Sequence, residues 1–178
     1  EADELLNEYR NKFQIENLSE DELRRSIKLV PTFLKISNKY NLDALAQLCP
    51  EIITISSIGI APCFAFVELN ANGIMVTCEC DIATAIVMVM LREIAGDAFF
   101  SEFYVQDMSN DYTLACHCGL GNINFADDRS AIRLVPNPCM PMKRIGVGHF
   151  SASNSAMAPP SPPFTCASST TKTRPVSF

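Results

Sequence analysis

Between Ala44 and Gly96 proline and glycine cut the chain into apolar pieces, and this punctuation limits the folds open to it. ALAQLC (44–49) is a short apolar run stopped by Pro50, the pattern of a buried strand. Residues 62–72 begin on Pro62 and end just before Gly73, the asymmetry of a helix that starts at proline and stops at glycine. IMVTC (74–78) reads as a second strand. DIATAIVMVMLREIA (81–95) reads as a buried helix closed by Gly96, with its Met and Ile residues in the core. Strand, helix, strand, helix implies a parallel α/β layer, because parallel neighbours need a crossover long enough to hold a helix.

Residues 1–41 read as helical. Leu5, Leu6, Tyr9 and Phe13 recur at helical spacing, and Ser19 with Glu22 forms a capping-box pattern ahead of a second amphipathic stretch, which Pro31 is expected to kink or interrupt. After Gly96 the pattern changes. AFFSEFYVQD (98–107), a polar turn at Ser109-Asn110-Asp111 and YTLACHCG are two consecutive strands with no helix between them, and SAIRLVP (130–136) is a candidate third. The fold class is therefore α/β: a partial parallel α/β layer followed by a β-rich, antiparallel C-terminal unit. Three parts follow: 1–97 as the end of an α/β domain, 98–148 as the β-rich portion, and 149–178 as a tail. From Ser151 to Phe178, 16 of 28 residues are Ser, Thr or Pro. Such a segment buries too little apolar surface to offset its ordering entropy, so disorder is expected there.

Composition narrows the function classes. A net charge of −6 lacks the basic stripe that nucleic acid requires. All 20 acidic residues lie at or before Asp128 with eight of the 14 basic ones, a balance of −12, and the remaining six basic residues follow with no acid. The longest apolar run, Ile82 to Leu91, has ten residues, too few to span a bilayer. Eight cysteines raise the possibility of a disulfide scaffold, yet Cys49, Cys63, Cys78 and Cys116 sit inside apolar runs, where a small buried thiol is ordinary. The opening segment is charged and helix-like and shows no secretory signal. A reducing cytoplasm without disulfides is the expectation.

The candidate chemistry lies at strand ends. Parallel α/β layers bind ligands beyond the carboxyl ends of their strands. Glu51 follows ALAQLCP, Glu79 and Asp81 follow IMVTC, and His117 follows YTLAC, with thirty residues from Glu51 to Asp81 and thirty-six from Asp81 to His117. Strand alternation would put Cys78 and Cys80 on one face and Glu79 and Asp81 on the other. Two carboxylates and an imidazole make a mixed oxygen and nitrogen set suited to Mn²⁺ or a similar ion. Bland readings exist for each: a solvated loop Glu51, an N-capping Asp81 and a core His117. The two Cys-x-Cys pairs could instead serve a structural metal site with Cys and His ligands, although such sites use wider spacings.

The ordered set CPE, APCFAFVELNANGI, CECD and HCG resembles the C-terminal part of the L-fucose and L-arabinose isomerase superfamily, over roughly residues 44–148. Cys49 stands where that pattern has an aromatic residue. The resemblance implies a metal-dependent aldose–ketose isomerase acting on a monosaccharide. It also implies a cytoplasmic setting, a homo-oligomer for the full-length enzyme, and additional α/β domains. Matched by position, the metal ligands are Glu51, Asp81 and His117, the catalytic residues are Glu51 and Asp81, and Glu79 is their supporting neighbour. The other reading is a non-catalytic α/β fragment whose carboxylates are caps and loop charges.

Overall fold

The computed structural model describes residues 2–136, apart from 56, 57, 110, 111, 118, 127, 129 and 131. Helix α1 (Ala2–Lys12) leads into a short strand, β1 (Gln14–Ile15), and then helix α2 (Glu20–Tyr40). Strand β2 (Ala44–Ala46), helices α3 (Cys49–Thr54) and α4 (Cys63–Ala71), strand β3 (Met75–Thr77) and helix α5 (Ile82–Ala95) follow. Strands β4 (Glu102–Asp107) and β5 (Tyr112–Cys116), a single 3₁₀ turn (Ile123–Phe125) and strand β6 (Arg133–Leu134) complete the described chain.

The α/β class is borne out. Strands β2 and β3 pair in parallel, Ala44 opposite Met75 and Ala46 opposite Thr77, while β4 and β5 form an antiparallel hairpin. The stretch at 130–136 does not extend that hairpin. Its two paired residues lie parallel to β1, Gln14 opposite Arg133 and Ile15 opposite Leu134. The capping box of α2 forms as its pattern predicts, with the Ser19 hydroxyl and the Glu22 carboxylate satisfying each other's backbone donors. Pro31 does not interrupt α2, which runs unbroken from Glu20 to Tyr40. Ile27 and Val30, just before the proline, are 1% and 3% exposed, and their burial offsets the hydrogen bond the proline removes.

Helix α4 is the centre of the molecule, with every residue from Cys63 to Asn70 buried. On one side Phe64 meets the edges of Tyr9 and Phe13 from α1, at centroid distances of 5.0 and 6.1 Å. On the other, Phe66 and Leu69 join Met75, Val76, Met88, Phe100 and Leu120 in a second cluster. The buried Glu68 is held by the Tyr9 hydroxyl at 3.1 Å and by Lys12 Nζ at 3.2 Å. Asn70, in the last turn of the helix, is a polar splint. Its side-chain Oδ1 accepts from the Val76 amide at 2.7 Å, and its Nδ2 donates to the Gly121 carbonyl at 3.2 Å. That pair of bonds fixes strand β3 and the segment after the hairpin to the same helix end.

Helix α5 starts and stops as expected, on Asp81 and on Gly96 at φ 87°. Its burial is different. Ala85 and Met88 are buried, whereas Ile82, Ile86, Met90 and Ile94 are 66%, 58%, 57% and 80% exposed. The apolar helix therefore is not a buried one, and most of its Ile and Met residues are not core. The reason is the width of the sheet beneath it. A parallel pair of three-residue strands covers only one narrow stripe of a 14-residue helix. Among the described residues no helix is long and apolar enough to cross a membrane. The tail 149–178, with His149, lies outside the described residues.

Candidate functional site

The three segments carrying the expected site residues meet at the C-terminal edge of the β2–β3 pair. The backbone ladder continues past both strands there: the Gln47 amide donates to the Thr77 carbonyl at 3.1 Å, and the Cys80 amide to the Gln47 carbonyl at 3.4 Å. Beyond that ladder Cys49 Sγ and Cys78 Sγ lie 2.7 Å apart. Cys78 in turn hydrogen-bonds His117, which follows β5. The imidazole sits edge-on to Phe100 at 4.8 Å, and its Nδ1 lies 3.4 Å from Glu102 Oε2. Cys49, Cys78, His117 and Glu102 thus form a chain of contacts across four elements.

Glu51 occupies the first turn of α3 and is exposed. Asp81 is the N-cap of α5. Its Oδ1 accepts from the Thr84 amide at 2.8 Å, and its Oδ2 from the Thr84 hydroxyl. The Thr77 hydroxyl donates to the Asp81 carbonyl at 2.8 Å, tying the last residue of β3 to the helix start. Between them Glu79 and Cys80 both adopt φ 58°. Two consecutive left-handed non-glycine residues cost about 1–2 kcal/mol each, and such strain concentrates at functional turns. This reversal also ends the strand alternation. Cys78 is buried and Cys80 exposed, so the two do not share a face.

The electrostatics follow from these contacts. The Thr84 hydroxyl, then its backbone N–H, hold the Asp81 carboxyl below its ordinary range. The Cys49 thiol and burial push Cys78 above the usual thiol range, so Cys78 is neutral. Burial disfavours charge on His117, but Cys78 and the Glu102 carboxylate outweigh it and raise the imidazole. Because the folded Asp81 value lies below the unfolded one, its contribution to stability is present above the ordinary carboxyl range. That contribution is lost as pH falls through the depressed value. The melting difference between wild type and Asp81→Asn should therefore be present at neutral pH and shrink as pH falls below the ordinary carboxyl range. A difference that stays constant over that range would show that the carboxylate charge contributes nothing to the cap.

The donors fit a divalent ion in chemical kind, and their segments converge, but they are not turned toward one point. Among the described residues no three His, Cys, Asp or Glu side chains are arranged to hold a metal ion. Asp81 is engaged by Thr84, Glu51 faces solvent, and His117 is turned to Cys78 and Glu102. Glu79 is exposed on the left-handed turn. Sequence reasoning missed Glu102 and the Cys49–Cys78 contact. The signal for the contact was present, since each cysteine ends one of two apolar runs that become neighbouring parallel strands.

No family model matches the chain. Over 89 residues, 48% of the chain, it is 33% identical to the sulfoquinovose isomerases of Priestia aryabhattai and Priestia megaterium. The match covers 20% of each, so it spans about a fifth of the length of those curated relatives.

Proposed function

We propose that the chain carries part of the active site of an aldose–ketose isomerase, centred on the C-terminal edge of the β2–β3 pair. The observation that carries the proposal is the convergence there of the segments bearing Glu51, Asp81 and His117. The partial likeness to sulfoquinovose isomerases supports it. The substrate is a free monosaccharide, with sulfoquinovose the first candidate and L-fucose and L-arabinose the next.

Glu51 is the base. Its exposed carboxylate reaches an open sugar chain more readily than the capped Asp81 does. It removes the hydrogen from C2 of the aldose, the hydroxyl proton moves from O2 to O1 through the enediol, and the proton returns to C1. Asp81 serves as the partner acid. Glu51, Asp81 and His117 would hold Mn²⁺ or another divalent ion, which when bound polarises the sugar carbonyl. That requires all three to turn: Asp81 from Thr84, His117 from Cys78 and Glu102, and Glu51 from solvent. The rest of the pocket comes from further domains and a homo-oligomeric assembly. Uptake of solvent hydrogen at sugar C1 or C2, dependent on Glu51, tests this function. The competing non-catalytic reading draws on the engaged cap of Asp81, and absence of such exchange would favour it.

A further inference from the structure

We propose that Cys49 and Cys78 form a reversible disulfide, so that the C-terminal edge of the β2–β3 pair is an oxidisable site. The inference stands on the thiol geometry and does not depend on the isomerase reading. The two residues are 29 apart in sequence, and each lies just beyond one of two adjacent parallel strands. Their sulfurs lie 2.7 Å apart, about 0.7 Å more than a bonded pair. Backbone bonds on both sides hold this spacing: Gln47 to Thr77, and Cys80 to Gln47. Bond formation therefore asks the two sulfurs to close by about 0.7 Å. Among the cysteines whose side chains are described, the pairing is also selective. Cys63 is buried in the other core cluster, and Cys80 is exposed on the left-handed turn.

Hydrogen peroxide, close to water in size, is the oxidant. One thiol sulfur gives two electrons to the O–O bond, forming a sulfenic acid and one water. The second thiol attacks that sulfur, the S–O bond breaks, the S–S bond forms, and a second water leaves. Two thiols and one peroxide thus yield one disulfide and two waters, and a dithiol reductant reverses the bond. The product joins the start of α3, which bears Glu51, to the end of β3, which leads to Asp81.

The test uses the whole chain. It is treated with hydrogen peroxide, unfolded, alkylated with N-ethylmaleimide so that burial hides no free thiol, and digested without reductant for mass spectrometry. The expected product is a peptide pair joined through Cys49 and Cys78 that separates on dithiothreitol. The oxidised chain should melt higher by on the order of 10 °C, because the bond closes a loop of about 30 residues. Cys49→Ser should lose both effects; if that variant does not fold, the wild-type mapping and melt decide alone. Recovery of both cysteines alkylated while Cys80 carries the oxidation would overturn the proposal. A joined pair that persists in dithiothreitol would overturn its reversibility as well.

Discussion

Phe64→Ala should cost about 3–5 kcal/mol, the range for emptying an aromatic site in a packed core. Phe64 is 1% exposed in the first turn of α4, and its ring is where α1 docks. Tyr9 and Phe13, stacked 5.9 Å apart, both present their faces or edges to it. Truncation removes dispersion contacts on three rings together and leaves a cavity beside the Tyr9 hydroxyl that holds Glu68. Glu68 is 4% exposed, so loosening Tyr9 also weakens support for a buried charge. Domains are typically stable by only about 5–15 kcal/mol, so this variant should lose a large part of its margin. Urea denaturation measures it. Ile94→Ala is the control: at 80% exposure it should change stability by no more than about 0.5 kcal/mol. Equal costs for the two would mean that α4 is not the centre of the core.

The second large effect is loss of metal response at Asp81. Mn²⁺ that binds only the folded chain should raise its melting temperature, by on the order of 5–10 °C at a hundredfold excess over the dissociation constant. Asp81→Asn should abolish that rise. The same variant should keep its metal-free melting behaviour within about 1 kcal/mol, because asparagine caps helices as well as aspartate and loses only its charge at the helix N-terminus. Asp81→Ala separates the two roles: it removes the cap too, at a cost of about 0.5–2 kcal/mol. A melting rise with Mn²⁺ that survives in Asp81→Asn would leave Asp81 as a cap alone.

What was legible in the sequence was what local chemistry decides. The Ser19–Glu22 box, Pro62 before α4, and Asp81 and Gly96 around α5 each act through bonds within one turn of themselves, and each element begins or ends where those residues predict. What was not legible depends on distant partners. The apolar composition of α5 suggests burial on all sides, but exposure is set by how much sheet lies under the helix, and periodicity does not carry that information. Strand β6 was placed with the nearer hairpin, yet its partner is β1, more than a hundred residues away. The site divides in the same way. Strand ends are readable, so the sequence sets Glu51, Asp81 and His117 beyond β2, β3 and β5. The alternation argument past Thr77 failed because the left-handed pair Glu79 and Cys80 reverses the chain, and neither residue type announces that conformation.

Proton exchange at the sugar tests the account most directly. The assembled full-length protein that carries this chain is incubated with Mn²⁺ in deuterated water with sulfoquinovose, L-fucose or L-arabinose, and carbon-bound deuterium and ketose are followed by NMR. The account predicts deuterium at C1 or C2 together with ketose for at least one of these sugars. It also predicts that Glu51→Gln, which keeps the size of the side chain and removes its basicity, slows both by about 10²–10⁴-fold. Glu51 is exposed in a short helix turn, so this variant should melt as wild type does. Absence of exchange with all three sugars, or exchange at an undiminished rate in Glu51→Gln, would contradict it.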